Sequence, residues 1–564
     1  MPAFERDDSH TVTDSRGRVG HRDHVANSSR YVEAIHTVRP GVWVVVGNGL
    51  SNQVFIDAPD GIVAIDTGEC VEEMRAAIAH LRTVSDRPFA AVAYTHFHYV
   101  GGTTAVFDDA GRALPVHGHE RIAFNRARTS SEVSAAYNRG LVEQFGTSLP
   151  LDGPDGLINV GLGLSFKNPN HAPNTPGYVA PTATFGESAT TSLAGLRCEV
   201  RHAPSDADDS VTYWFPDLGV AVHNALWPVL FNVFAIRGEE YRDPRILLAR
   251  LDHLISLNAE HLVPTHGAVI SGAAEIRERA TKYRDSIQFI WDQTVRWTNR
   301  GLTGPQLAAK IRLPDVFADD YVTTELYGVL EHHVRQVRSG LFGFFDGDEA
   351  NLFPLERHEH SARMIAAMGG RATVREAIRN AVDADTRWAL ELATYLAHSD
   401  DAEQTDRDLL ATALRTVARR TTAANIRNWC LTRARQYDGS HDMSRHNQHR
   451  LSAASLAAGD ASAAVDVLRV LLDPDLSGSL DLHIAWVFDD GTRRGVHLRN
   501  GIACPTTGED AVITVSCELR TWAAVLGGKS TLSTVIDNGT VTIDGDADRF
   551  RAAMSCFDVP GLRN

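Results

Sequence analysis

Cysteine is scarce and badly spaced for chemistry. The chain of 564 residues has six, at Cys70, Cys198, Cys430, Cys504, Cys517 and Cys556, and none forms a C-x-x-C pair. That excludes a disulfide-stapled scaffold and a thiolate zinc site, and it predicts inert thiols in a reducing cytoplasm. Long apolar runs are lacking too. No stretch of about 18 apolar residues exists, so no membrane span is expected. The first thirty residues are polar, with no apolar core of a secretory signal, and Arg22-Asp23 is not a twin arginine. Positive charge is in deficit: the formal net charge is −16, which argues against nucleic acid as a partner. No internal repeat is visible. The hydrophobic content of 43% is that of ordinary globular proteins, and the length calls for two to four domains.

Residues 1–30 read as a polar arm. β-Branched runs follow at Val42–Val46, Val54–Asp57 and Ile62–Asp66, separated by turn residues, and they predict successive strands. "VEEMRAAIAHLRTV" has helical periodicity, and "FAAVAYT" is a further buried strand. Strand, helix, strand implies a layered α/β domain, taken as residues 31–275. Within it, residues 162–186 are rich in Pro, Gly and Asn and predict a long loop near a site. From residue 276 to 437 apolar residues recur at helical spacing, as in a bundle of paired helices. After the polar break "YDGSHDMSRHNQHR", residues 438–564 carry a helix and strands. "DDG" there sits between two alternating runs, as in a hairpin, so a small α+β domain is expected.

The chemistry-bearing stretch is "AVAYTHFHYVGGTTAV", in which a strand ends at His96-Phe97-His98 and is followed by Gly101-Gly102. Two imidazoles one residue apart at a strand end are candidate metal ligands. Three further stretches add candidates: "HAPSDADDSV" with Asp206, "GVAVHNAL" with His223, and "HLVPTHG" with His266. "GIVAIDTG" places Asp66 at another strand end. In this order the stretches resemble the motifs of metallo-β-lactamase-fold hydrolases, in which the Asp66 strand buttresses the H-x-H loop. The usual first motif is H-x-H-x-D-H. Here the Asp-His half is missing, and the remaining donors predict one divalent ion, Zn²⁺ or Fe²⁺. His96, His98 and Asp206 would bind it, and His223 or His266 could join them. A rearranged two-ion site and a metal-free descendant stay open. So does a mononuclear iron oxygenase, because two His and one carboxylate also hold iron in such enzymes. His202 is read as shaping its turn, Asp208 and Asp209 as a solvated edge that could replace Asp206 if the register slips. His119-Glu120 is read as a helix start. Tyr99 is a packing aromatic or a hydroxyl that orients water or substrate.

Longer phrases narrow the reading. "YRDSIQFIWDQTVRWTNRGLTGPQLAAKIRLP", "LYGVLEHHVRQVRSGLFGFFDGDEANLFPL" and "NIRNWCLTRARQ" resemble the helical dimerisation domain of the alkyl sulfatases, a metallo-β-lactamase family. The last ~125 residues resemble that family's sterol-carrier-protein-like domain. The resemblance implies an αββα sandwich, then an all-α dimerisation domain, then a small α+β domain with a tunnel for an alkyl chain. It implies a homodimer acting on an amphiphilic small molecule. Family members use two Zn²⁺ ions, and Asp206 and His223 stand where they have Glu. "AIRGEEYRD" matches the phrase whose Arg holds the sulfate, giving Arg237, while Asn232 and Tyr327 match nearby polar positions more loosely. The activity implied is metal-dependent hydrolysis of an anionic, sulfate-type ester. The altered ligands leave open a redox enzyme or a non-catalytic protein that binds apolar ligands.

Overall fold

The computed structural model describes residues 3–130, 132–446, 451–457 and 459–563. The chain divides into two compact units. One contains residues 1–122 and 140–442, so the arm, the α/β segment and the helical segment share one body. The other combines residues 123–139 with 443–564.

Two sheets form the heart of the first unit. One has seven strands in chain order, β1 (Ala34–Arg39), β2 (Val42–Val46), β3 (Gln53–Ala58), β4 (Gly61–Ile65), β5 (Phe89–Ala93), β6 (Val116–His119) and β7 (Ala183–Phe185). Its first four strands run antiparallel to their neighbours, and β4 to β7 run parallel. The other sheet has six: β8 (Ser188–Leu193), β9 (Leu196–His202), β10 (Val211–Phe215), β11 (Val220–His223), β12 (His261–Pro264) and β13 (Ile270–Ser271). Only β11 and β12 pair in parallel there.

Alternation decides how the sheets stack. Val44, Ile56, Val63 and Ala91 face Val200, Tyr213 and Val222 across an apolar interior. The opposite face of the first sheet, with Phe55, Ile62 and Val92, is covered by α1 (Val71–Leu81) and α2 (Thr103–Ala110). Met74, Ala77, Ile78 and Leu81 form the buried stripe of α1, at the spacing of one helical face. The second sheet is covered by α3 (Pro244–Ser256) and the long α4 (Ala273–Thr298). Helix α3 starts on an Asp243 cap with Pro244 in its first turn, a position where proline loses no hydrogen bond. The result is the αββα sandwich, and parallel strands deliver their C-terminal ends to one rim.

Helices continue with α5 (Leu330–Phe342) and a bundle from Arg357 to Tyr437. The arm wraps onto this bundle: Thr11–Thr13 pairs with Val19–His21, Phe4 bridges Thr421, and the Asp8 carboxylate meets Arg419 and Arg420. In the second unit a five-stranded sheet packs around Trp486 and Trp522, whose rings lie 5.1 Å apart. Among the described residues no helix is long and apolar enough to cross a membrane.

Gly101 and Gly102 make the rim possible. A Cβ on Gly101 would lie 2.1 Å from the Glu69 carbonyl, and one on Gly102 would lie 2.3 Å from the Thr67 carbonyl. The loop after β5 therefore sits directly on the turn after β4. Gly101→Ala is expected to lose roughly 1–3 kcal/mol of stability by overpacking, read as a lower urea midpoint with an unchanged slope.

Candidate metal centre

Strand β4 ends at Ile65, and Asp66 takes a positive φ of 57° that turns its carboxylate under the next loop. There Asp66 Oδ1 accepts the Thr95 N–H at 2.7 Å and Oδ2 accepts the Thr95 hydroxyl at 2.6 Å. The hydroxyl has one proton, so towards His96 Nδ1, 2.9 Å away, it acts as acceptor. His96 then carries its proton on Nδ1 and keeps a lone pair on Nε2. This carboxylate–hydroxyl–imidazole chain is the kind of outer support that fixes a metal ligand's tautomer.

His96 Nε2 points to Asp206, 4.0 Å from Oδ1, and His98 Nδ1 lies 3.2 Å from Oδ2. One ligand atom from each of His96, His98 and Asp206 lies within 4.8 Å of the other two. Burial drives His96 down to about 3, so its imidazole is neutral at pH 7. Burial opposes ionisation of Asp206, but the neighbouring His96 and His98 outweigh it and hold the carboxyl well below its usual range. A neutral imidazole at His96 beside an ionised carboxylate at Asp206 is a donor state suited to a divalent cation. His98 Nε2 is buried with no hydrogen-bond partner. The residues therefore fit a cation, and this donor set suits zinc or iron.

The structure does not bring His223 into this group. His223 ends β11, and its Nδ1 accepts the Leu226 N–H at 3.4 Å. Asn224 reaches the centre instead, donating from Nδ2 to Asp206 Oδ1 at 2.6 Å. The Trp227 indole N–H, 3.2 Å from Asn224 Oδ1, sets the orientation of this amide. Side chains alternate along a strand, so a register one residue off exchanges a residue facing the centre for one facing away. Asn224 was legible only with that register.

His266 follows β12. Its Nδ1 donates to the Leu50 carbonyl at 2.9 Å, which leaves the Nε2 lone pair facing the Tyr99 hydroxyl at 3.5 Å. Burial lowers His266 to about 4, so it too is neutral. The Tyr99 ring makes edge contacts with His96 and His266, with centroids 5.2 and 5.3 Å away. Tyr99 thus stands between His266 and the His96–His98–Asp206 group. His202 holds its own turn through Nε2, 2.5 Å from the Asp208 carbonyl. His119 Nδ1 accepts the Arg121 N–H just before the helix Ile122–Ser130.

The expected anion-binding groups are less uniform. Arg237 Nη2 lies 2.8 Å from Glu239 Oε2, with both side chains almost fully buried. Tyr327 accepts a hydrogen bond from Gln144 at 2.8 Å. Asn232 is fully buried, and neither side-chain amide atom has a partner.

Two stacked sheets, helices outside and histidines with a carboxylate at the strand ends define a hydrolase of metallo-β-lactamase fold. Comparison with known proteins carries this further. The family model for alkyl sulfatase dimerisation matches residues 303–439, and that for the alkyl sulfatase C-terminal domain matches residues 450–563. A linear primary-alkylsulfatase from Pseudomonas sp. (strain ATCC 19151) is 32% identical over 531 residues, 89% of this chain and 98% of that protein. An (R)-specific secondary-alkylsulfatase from Pseudomonas sp. is 28% identical, with 93% of this chain and 81% of that protein covered. The solved structure of the stereoselective inverting sec-alkylsulfatase Pisa1 from Pseudomonas sp. shares the fold. Its TM-score is 0.86 over 100% of this chain and 93% of that chain, at 24% identity. The chain belongs to the alkyl sulfatase family. These relatives offer no counterpart for a redox enzyme or a non-catalytic protein.

The outer support can be tested on its own. Thr95→Val keeps the shape but removes the hydroxyl that fixes His96. It is expected to weaken metal binding by about 10- to 100-fold, measured by competition with a chromogenic chelator.

Proposed function

We propose that the protein hydrolyses the sulfate ester of an apolar alcohol at a centre built for one divalent ion, held by His96, His98 and Asp206. The observation that carries the single ion is Asn224. It is a neutral amide, oriented by Trp227, and its N–H points at Asp206. Among the described residues no second carboxylate joins His96, His98 and Asp206, and the motif lacks the Asp-His half that a second ion would use.

A cation at this place would supply Lewis acidity and lower the pKa of water. The chain's own residues do the rest. Asp66 and Thr95 hold His96 in its ligating tautomer. Asn224 occupies Asp206 Oδ1 and leaves Oδ2 towards His98. His266, neutral and anchored on Leu50, accepts from the Tyr99 hydroxyl, whose lone pairs can then orient water or the ester. Leu50, Trp227 and Phe231 belong to one buried apolar cluster with Tyr99 and offer an alkyl chain a dry wall.

Metal analysis of protein purified without added metal is expected to give about one equivalent of zinc or iron per chain. The double variant His96→Ala, His98→Ala should lose it. Metal-loaded protein should release inorganic sulfate from dodecyl sulfate. Two equivalents per chain would remove the single-ion reading, and absence of sulfate release with zinc, manganese or iron would remove the hydrolase.

The protein is further proposed to act as a homodimer. The end of α5 and the segment after it expose Phe342, Phe344, Leu352 and Phe353, with Phe344 91% and Phe353 89% exposed, inside the matched dimerisation region. Such a run of bare aromatics is the mark of a partner surface. Phe344→Glu combined with Phe353→Glu should shift the particle from dimer to monomer mass in light scattering.

A further inference from the structure

The first unit holds a second group of the same chemistry, in the N-terminal arm. Glu5, His10 and His21 each present one ligand atom within 4.8 Å of the other two, as His96, His98 and Asp206 do, and the two groups share no residue. The fold of the arm brings them together. Thr11–Thr13 runs antiparallel to Val19–His21 with Thr11 opposite His21, and the Arg22 N–H donates to the His10 carbonyl at 2.8 Å. His10 therefore lies beside His21, and their rings meet edge to face with centroids 5.4 Å apart. Glu5 is fixed by its backbone N–H, which donates to the Arg420 carbonyl at 3.1 Å.

Two observations point to an ion rather than to a plain hydrogen-bonded cluster. Glu5 Oε1 and His10 Nδ1 are 3.3 Å apart, longer than a good N–H···O bond. Two donors that share a tetrahedral zinc, each about 2.0–2.1 Å from it, have roughly this spacing. The second observation is His21, whose side chain is fully buried and whose Nε2 has no partner. Its Nδ1 accepts the Asp23 N–H at 3.2 Å, so in that arrangement Nε2 carries the ring proton with nothing to receive it. A cation on Nε2 sends the proton to Nδ1, which lies 3.7 Å from Asp23 Oδ2. The imidazole stays neutral, and the carboxylate takes the outer place that commonly backs a ligating histidine.

We propose that Glu5, His10 and His21 form a separate, structural site for a divalent cation of the zinc type, which staples the arm to the helical body. Two imidazoles and one carboxylate favour such a metal over magnesium or calcium, which take oxygen ligands. The ion closes the chain from residue 5 to residue 21, and both ends are already seated on the bundle. Phe4 bridges Thr421, and the Val19 carbonyl accepts from Arg427 Nε and Nη2 at 3.1 and 2.7 Å. The Glu5 and His10 side chains are 19% and 28% exposed, so an ion can enter and water can complete its shell. Three protein ligands at an open edge hold metal less firmly than a closed four-ligand site. This site therefore fills from added metal and leaves protein purified without added metal at one equivalent. It rests on none of the function proposed above.

The test uses the full-length His96→Ala, His98→Ala protein, which lacks the first centre, with zinc as the probe in competition with a chromogenic chelator. About one equivalent is expected to bind. His10→Ala and Glu5→Gln, both at partly exposed side chains, should each weaken binding at least tenfold. His36→Ala, at an exposed histidine of β1, should leave it unchanged. Saturating zinc should slow tryptic cleavage after the exposed Arg16 several-fold, and should not do so in the His10→Ala protein. No zinc bound by the double variant would overturn the site, as would parental affinity in His10→Ala and Glu5→Gln, or an equal loss in His36→Ala. Zinc bound through these residues with cleavage unchanged would overturn the staple. Failure of the first centre to bind metal or to split an ester leaves each of these readouts intact.

Discussion

Thr95 is the small residue on which the centre depends. Its N–H and hydroxyl are both given to the buried Asp66 carboxylate, and its oxygen accepts from His96. Its carbonyl accepts the Val211 N–H of the second sheet, and its hydroxyl lies 3.4 Å from that of Thr265, the residue before His266. One residue thereby sets the tautomer of a ligand and joins the ends of β5, β10 and β12. Buried polar groups are tolerated when every partner is met, and a network so satisfied has one geometry. Burial pushes Asp66 up to about 7, and the two bonds from Thr95 pull the other way. The ionised form, which can only accept, is the one that orders the chain from Thr95 to His96.

Much of this was legible in the sequence because strand ends carry their own signal. The apolar runs before His96 and His266 predict strands, and parallel strands bring their ends to one rim. Asp66 and Asp206 stand at similar ends. Local register is harder to read. Period-two alternation makes His223 and its neighbour Asn224 opposites, and counting from a motif with a deletion cannot choose between them. Histidine drew attention as the better ligand. The amide reaches the centre because its place one residue past the end of β11 decides, not its affinity.

A different limit applies to the anion groups. Arg237 and Glu239 are two residues apart, and nothing in the phrase shows that they pair. The left-handed turn at Gly238, with φ of 85°, lets the chain fold back so that they do. Arg242, five residues on, reads as an ordinary surface charge until its burial is known. Ion pairing and desolvation are tertiary facts, and no local spacing encodes them.

Charge balance ties these observations together. Around the centre the imidazoles of His96 and His266 are neutral. Among the other charged groups, Asp206 offsets Arg242 and Glu239 offsets Arg237. A dication, a monoanionic sulfate ester and a hydroxide also sum to zero. On the proposed single-ion reading, a second dication would add two positive charges beside one carboxylate, and uncompensated buried charge is strongly unfavourable. The neutral Asn224 amide beside Asp206 and the missing Asp-His half both fit that proposal.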